Sequence, residues 1–259
     1  MNGVSWDKFT RARDRFRGIT EELSGFLPEL KNIQQKFADA RADGKNSSYI
    51  VETPVVYNSA LDSITIDDEI KLILVADNPG RREQSAENRR YLVGPSGKIA
   101  KKFFSDNPAL GIDFLKNVII LNKTPIHSPR TVELRRLVIL AEEEGSRSFA
   151  IALAAALEES QRAMADLLME FHEALGVQVW ITGYSEMKRG GLFEVYTKTL
   201  KELYAKKPEL LKQLFIFRHF SMNQFTIDLK KQTLPGESAA KSLKRIGTAY
   251  RQRILGNKQ

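Results

Sequence analysis

The segment IKLILVADNPG, residues 70–80, determines the fold class predicted for this chain. An almost wholly apolar run ends abruptly in the polar and turn-forming residues DNPG. A short run of this kind is typical of a strand that is buried on both faces of a sheet. Because proline cannot extend a ladder of backbone hydrogen bonds, Asp77 and Asn78 are predicted to lie where the strand ends, at the mouth of a site. An Asx turn capped by Pro-Gly explains the same residues structurally.

Three further apolar runs predict strands of the same sheet, with helical patterns between them. The strands are NVIILN (117–122), VQVWITG (177–183) and LFIFRH (214–219). The helices are two within 5–41, then 96–106, 131–144 and 147–175 with a break near Gly145, 192–204 and a basic helix at 236–254. This alternation indicates an α/β fold, a three-layer αβα sandwich around a central parallel four-stranded sheet. We expect one domain over 1–259, with N-terminal helices in 1–45 and a helical insertion at 131–175.

Composition and charge narrow the class of protein. The 259 residues include 40 Lys and Arg against 32 Asp and Glu, a net charge of +8 that favours a polyanionic partner or simply aids solubility. There is no cysteine, which excludes disulfides, thiolate metal sites and cysteine nucleophiles. The charged N-terminal residues do not form a secretory signal, and no apolar run has the length of a membrane span. We expect a cytoplasmic protein without a membrane partner.

Two other predicted strands end in side chains suited to recognition. Asn122 offers an acceptor and two donors on one planar edge, the pattern needed to read an imide such as the Watson–Crick edge of uracil. His219 could donate to a carbonyl oxygen on which negative charge develops. Each also has a structural interpretation, as an asparagine that bonds the local backbone and as a structural histidine. In open parallel sheets, ligands bind at the carboxyl ends of the strands, where all these residues would meet.

A second glycine turn, GPSG at 94–97, opens the next helix. It is not a nucleotide-binding P-loop, because Leu92 stands five residues before Gly97 and isoleucine follows Lys98. Ser96 is predicted to cap the helix, whose free amides suit a phosphate, although capping alone also explains the turn. His127 is interpreted as structural and His172 as a surface residue. The three histidines lack ligand spacing, so neither a metal nor a cofactor is expected.

Three motifs together resemble the uracil-DNA glycosylase superfamily, in order and spacing, across roughly residues 70–225. They are ADNPG (76–80), the ILN strand end (120–122) and HFS (219–221). The first is similar to the motif of the mismatch-specific and single-strand-selective branches. The loop YLVGPSG (91–97) is similar to Pro-Phe-Val-Gly-Arg-Ala-Gly of the thermophilic iron–sulfur branch, whose four cluster cysteines have no counterpart in this chain.

The resemblance implies a role for each matching residue. The catalytic group would comprise Asn78, which positions water, Asp77, at a position that is acidic in the iron–sulfur branch, and His219, which hydrogen-bonds the leaving base. Asn122 would read the base edge, and Gly80 would leave room for the flipped nucleotide. The remaining substrate contacts would come from Tyr91 and Leu92 near the base, Ser96 and Ser221 at flanking phosphates, and Asn223, which with Met222 stands where relatives carry a wedge.

Three interpretations of function stay open. The first is a DNA glycosylase that excises uracil or another deaminated base, with DNA as its partner and either Asp77 or Asn78 as the essential group. The second is a non-catalytic nucleic-acid-binding module, favoured by Leu92 where relatives have phenylalanine, by Phe220 where they have proline, and by the long 131–175 insertion, which could carry a partner surface. The third is a nucleotide- or sugar-phosphate-binding enzyme with an unrelated α/β fold. Protein partners are not identified by any pattern in the sequence.

Overall fold

The computed structural model describes residues 1–40 and 48–256, which form four β-strands and nine α-helices. The strands are β1 (Leu72–Ala76), β2 (Val118–Asn122), β3 (Gln178–Ile181) and β4 (Leu214–Ile216). The helices are α1 (Gly3–Phe26), α2 (Leu30–Ala40), α3 (Pro95–Asp106), α4 (Leu134–Glu143), α5 (Arg147–Leu175), α6 (Glu194–Ala205), α7 (Pro208–Lys212), α8 (Gln224–Gln232) and α9 (Ala239–Leu255).

All four strands are parallel and lie in the order β2-β1-β3-β4. The register pairs Ala76 with Asn122 and Val75 with Ile181, so the carboxyl ends of the strands meet at one edge. The chain passes from β1 to the neighbour on one side and later crosses to the neighbour on the other. The strand order therefore reverses between β1 and β3, which is where ligands of open parallel sheets bind.

Helices cover both faces of the sheet. Ile73 and Val75 enter the larger apolar layer, to which α1, α2, α4, α5 and α6 contribute. Leu72 and Leu74 point the other way, because successive side chains of a strand alternate, and pack with α3 and α8. Helix α9 flanks β4, where Gly247 lies so close to Phe215 that an added Cβ would come within 2.7 Å of that side chain. The predicted α/β class and parallel sheet are confirmed, and the layers are consistent with a three-layer sandwich.

Each of the four predicted strand segments contains a strand, and the strands are shorter than their apolar runs. The helix break near Gly145 is also confirmed, since this glycine has a φ of +79°. Helices α7 and α8 were not predicted, because each is short and carries few apolar residues at helical spacing.

Two local predictions were wrong. Gly94, not Ser96, is the N-cap of α3, since Pro95 takes the first helical position, for which its fixed φ is suited. His172 is fully buried rather than exposed, and its Nδ1 lies 2.7 Å from the hydroxyl of Tyr204. It shares a helix face with the buried Leu168, one turn earlier, so the exposed neighbours that suggested a surface position lie on other faces.

Candidate functional site

Asp77 and Lys123 form a buried ion pair at the carboxyl edge of the sheet. They directly follow Ala76 and Asn122, so the register of β1 and β2 sets them side by side. Oδ1 of Asp77 lies 2.5 Å from Nζ of Lys123, whose side chain is fully buried. Lys123 also donates to the carbonyl of Thr182 at 2.6 Å. The pair therefore joins the ends of β1, β2 and β3 at the point where the strand order reverses.

The ion pair keeps the Asp77 carboxylate ionised. Burial by itself would raise the pKa of Asp77, but the Lys123 ammonium and His219 outweigh it, so this pKa lies below its ordinary value. The Thr131 hydroxyl donates to the other carboxylate oxygen at 3.2 Å. Gly183, at φ +86°, leaves space for this carboxylate, since a Cβ at that position would come within 2.2 Å of Oδ1 of Asp77. A carboxylate held in this way is suited to stabilising positive charge more than to accepting a proton.

The Asn78 side chain is oriented by its amide nitrogen. Nδ2 donates to the hydroxyl of Ser128 at 3.0 Å and to the carbonyls of Ser128 and Pro79 at 3.2 Å each. Because carbonyl oxygens only accept hydrogen bonds, the atom of Asn78 that faces them must be the amide nitrogen, which fixes the orientation of the side chain. Oδ1 of Asn78 accepts no hydrogen bond from the described residues and stays available to a water molecule.

His127 fastens the turn that carries Asn78. It is fully buried, with Nδ1 2.8 Å from the carbonyl of Pro79 and Nε2 2.8 Å from the hydroxyl of Tyr49. Burial lowers the pKa of His127 to about 4, so the ring is neutral at physiological pH. The neutral ring donates from Nδ1 to Pro79 and accepts from Tyr49. His127 thus holds the backbone of the site, in agreement with its structural interpretation.

Asn122 is buried without a partner. It is 1% exposed, and neither Oδ1 nor Nδ2 forms a hydrogen bond within the part of the chain that the structure describes. Alternation along β2 directs it to the same face as Val118, toward the layer that contains Leu92 and Phe220. A buried amide left unpaired costs on the order of 1–3 kcal/mol, so this position calls for a ligand or an ordered water.

His219 presents a hydrogen-bond donor near Asp77. Its Nδ1 accepts a hydrogen bond of 2.9 Å from the backbone N–H of Ser221. Burial lowers the pKa of His219, although the Asp77 carboxylate opposes that shift, so the ring is neutral at pH 7. Since Nδ1 is the acceptor, the proton of the neutral ring resides on Nε2.

The turn after His219 exposes an apolar side chain. Met222 and Asn223 have left-handed backbone angles, with φ of 51° and 56°. Residues with a Cβ adopt this conformation at a cost, and it clusters at functional sites. Met222 is nevertheless 82% exposed. Asn223 is also exposed, so both residues project from the edge of the sheet that carries His219.

Glu83 connects the two loops that border this edge. Its Oε2 accepts a hydrogen bond of 3.0 Å from the N–H of Gly80, and the N–H of Leu92 interacts with the same carboxylate. Burial raises the pKa of Glu83 to about 7, against the effect of these two amides. A Cβ added to Gly80 would meet nothing within 4 Å, so there is open space at this turn.

The loop that leads into α3 separates two predicted contact residues. The Tyr91 hydroxyl donates to the carbonyl of Val56 at 2.6 Å, and its ring belongs to the larger apolar layer. Leu92 is 8% exposed in the smaller layer and has a φ of +54°. Its carbonyl lies against Gly97, where an added Cβ would overlap it at 1.4 Å. Ser96 lies in the first turn of α3.

The structure thus brings Asp77, Asn122 and His219 to one edge, with Asn78 and Gly80 in the adjoining turn. Sequence reasoning missed Lys123, because a lysine after a strand usually reaches solvent. A signal was present, however, because pairing the two strands at their last residues sets Lys123 opposite Asp77. Ser128, Thr131 and Glu83 were also missed, and the sequence carried no signal for them.

Within residues 1–40 and 48–256, no helix combines the length and apolarity needed to cross a membrane. The same residues contain no group of three or more His, Asp or Glu side chains that could hold a metal ion. Comparison with known proteins finds no matching family model, no matching curated protein and no matching solved structure.

Proposed function

We propose that this protein is a DNA glycosylase that hydrolyses the N-glycosidic bond of uracil or another deaminated base in DNA, as in base excision repair. The observation that carries the proposal is the Asn122 amide, buried at a strand end with no partner for its donor or its acceptor. A protein interior rarely retains such a group without a ligand or an ordered water as its partner. An imide edge, with a carbonyl beside an N–H, would satisfy both halves of the amide.

The neighbouring groups support cleavage of a base held in this way. As the bond between C1′ and the base nitrogen breaks, its electron pair moves onto the base, and negative charge develops on the base carbonyls. The Nε2–H of His219 is available to stabilise that charge. Positive charge develops on the sugar, and the ionised Asp77 is suited to stabilise it. The free Oδ1 of Asn78 can orient the water that attacks C1′, and the proton that this water loses passes through solvent to the released base anion.

Access to Asn122 requires a movement. Its polar atoms are sealed from solvent, and Leu92 and Phe220 are buried in the apolar layer on that face. The left-handed backbone of Leu92 marks the loop that would have to open. Extrusion of a base from the helical stack would be coupled to this opening.

The burial of Leu92 and Phe220 also supports a second candidate, a non-catalytic nucleic-acid-binding module. In that case Leu92 and Phe220 fill the pocket permanently, and the basic surface alone binds the nucleic acid. The two candidates differ in whether any base is released.

A strand-cleavage experiment separates them. Labelled oligonucleotides that contain one uracil, hypoxanthine or xanthine, as single strands and as duplexes, are incubated with the protein and then cut at abasic sites with alkali. We expect cleavage that is lost in Asn78→Ala and His219→Ala, with Lys201→Ala, at an exposed position on α6 away from the site, as the control. No cleavage of any substrate, together with salt-dependent DNA binding, would instead identify the binding module.

A further inference from the structure

The loop 81–90, RREQSAENRR, carries four arginines between the two turns that border the site. We infer that three of them, Arg82, Arg89 and Arg90, bind backbone phosphates of the DNA strand whose base enters the pocket. This inference rests on the proposed function, since it takes DNA as the ligand. We name residues 81–90 the arginine loop.

The backbone of the arginine loop is fastened at several points. Near its start, the buried Glu83 accepts a hydrogen bond from the Gly80 amide. In its middle, the Ala86 amide donates to the Glu52 carboxylate. Near its end, the carbonyl of Arg89 accepts from the amide and the hydroxyl of Ser59, at 2.9 and 3.0 Å. The side chains are therefore displayed from a constrained loop, which reduces the entropy lost on binding.

The three guanidinium groups are available. Arg82, Arg89 and Arg90 are exposed, and none forms an ion pair or a side-chain hydrogen bond with the described residues. Of the three nearby carboxylates, Glu83 and Glu52 accept hydrogen bonds from backbone amides, and Glu87 accepts one from the side chain of Asn88. Arg89 in addition has a φ of 42°, an uncommon backbone conformation for a residue with a side chain. The loop thus displays three guanidinium groups that pair with no carboxylate of the described residues.

The position of this charge points to the ligand. The arginine loop leaves the site at Gly80, next to Asn78, and returns to it at Leu92. A strand that delivers a base to Asn122 carries a phosphate on each side of that nucleotide, close to both ends of the loop. Guanidinium groups match phosphate geometry through paired N–H donors and keep their charge at any physiological pH.

The test measures binding without catalysis. Fluorescence anisotropy of a labelled, undamaged single-stranded oligonucleotide gives Kd at several salt concentrations for the 259-residue protein. The loop variant is Arg89→Gln/Arg90→Gln, with Arg82→Gln measured separately. The matched control is Lys201→Gln/Lys206→Gln, which removes the same charge from exposed positions on α6 and at its C-cap. This helix ends at the opposite edge of the sheet, because it connects the carboxyl end of β3 to α7 and the start of β4.

Each phosphate contact to a single strand contributes about 0.7 to the slope of log K against log salt. We expect the double loop variant to lower that slope by roughly 1.4, for two lost contacts, and Arg82→Gln to lower it by about 0.7. The control should leave the slope unchanged. Equal slopes for the loop and control variants would overturn the inference. Displacement of the DNA by polyglutamate at equal charge would also overturn it, because the loop would then be a surface for acidic proteins.

The outcomes separate this inference from the proposed function. If the loop variants lose DNA affinity while the wild-type protein excises none of the tested bases, phosphate binding by the arginine loop is supported and the glycosylase function is not. If the wild-type protein excises a base and the loop variants bind and excise as the control does, the glycosylase function is supported and phosphate binding by the arginine loop is refuted.

Discussion

Oδ1 of Asp77 and Nζ of Lys123 are 2.5 Å apart where the order of the sheet reverses, and both side chains are buried. The pair places a full negative and a full positive charge at the position where this fold class binds ligands. Its net charge is zero, so its electrostatic effect on His219 depends on orientation: the Asp77 carboxylate raises the pKa of His219, and the Lys123 ammonium lowers it. The neutral state of His219 at pH 7 thus depends partly on a residue outside the resemblance.

Lys123→Met is expected to destabilise the protein by about 3–5 kcal/mol, because it leaves the Asp77 carboxylate buried without its partner. Adding Asp77→Asn to this variant should recover most of the loss, since the second change removes the unpaired charge. Urea unfolding at pH 7 measures both effects. Lys212→Met provides the control, because Lys212 pairs with Glu209 at the surface and should change stability by less than about 1 kcal/mol. A double variant as unstable as Lys123→Met would contradict the account.

Two asparagines that are both 1% exposed allow a matched comparison. Nδ2 of Asn58 donates to the carbonyl of Ile120 at 2.8 Å, and its Oδ1 accepts from the amides of Ala60 and Tyr91. Asn58→Ala should therefore cost about 1–3 kcal/mol, the penalty for unpaired buried groups. Asn122→Ala removes an amide that is already unpaired, and we expect its stability to equal or exceed that of the wild-type protein.

The same two variants separate stability from function. Asn122→Ala should abolish base excision while the protein stays folded, whereas Asn58→Ala should retain excision at temperatures below its own unfolding. Urea unfolding and the strand-cleavage assay give the two readings. A large loss of stability in Asn122→Ala would indicate that its amide has a structural partner, such as an ordered water, and would remove the main support for a ligand at this position.

The fold could be predicted because its determinants are local in the sequence. Four apolar runs bounded by polar or turn-forming residues define strands that are buried on both faces, and the helical segments between them permit parallel pairing. The same pattern predicted that Asp77, Asn122 and His219 would share one edge. That conclusion requires only that the carboxyl ends of parallel strands lie at the same edge of a sheet.

The remainder of the site depends on contacts that no local pattern encodes. Lys123 is buried only because Asp77, Thr182 and the ring of Phe193, 4.8 Å away, surround its ammonium. The burial of Glu83 arises from the approach of two loops. Even the unpaired state of Asn122 is a property of the assembled layer, since the sequence alone equally allowed local backbone bonds.

Glu83 should make stability depend on pH in a direction unusual for a carboxylate. Its pKa is about 7 in the folded protein, against an ordinary value of 4.5, so the folded state binds this proton more tightly. The Glu83 proton therefore contributes to the free energy of unfolding at low pH. This contribution falls as the pH rises from about 4.5 to about 7 and then stays constant, and the total loss is about 3 kcal/mol.

Glu83→Gln removes this titration while keeping a side chain that can accept from an amide. Urea unfolding of both proteins between pH 4 and pH 8 gives the difference in free energy of unfolding at each pH. The buried histidines, whose pKa values of about 4 weaken stability toward low pH, cancel in that difference. We expect wild-type stability to decline relative to the variant by about 3 kcal/mol across this range. Parallel curves would show that Glu83 titrates normally.

Met222 provides the last test, because it is an apolar residue that is 82% exposed on left-handed backbone. An apolar side chain held in solvent beside the site could fill the gap that a flipped base leaves in duplex DNA. Single-stranded DNA has no such gap to fill. Met222→Gly should therefore reduce excision from duplexes by at least about tenfold, the equivalent of about 1.4 kcal/mol, and leave excision from single strands within about twofold.

The stability of Met222→Gly provides the control for folding. Glycine adopts a left-handed φ without steric cost, so the variant should be as stable as the wild-type protein or slightly more stable. Ile227→Gly would not serve as a comparison, since it weakens helix α8; Leu234→Gly, at an exposed position after that helix, removes a similar apolar surface without touching the turn. Equal losses on duplex and single-stranded substrates would assign Met222 to general binding. A loss confined to duplexes would establish that this turn acts on the base stack, and hence that the site receives its base from a double helix.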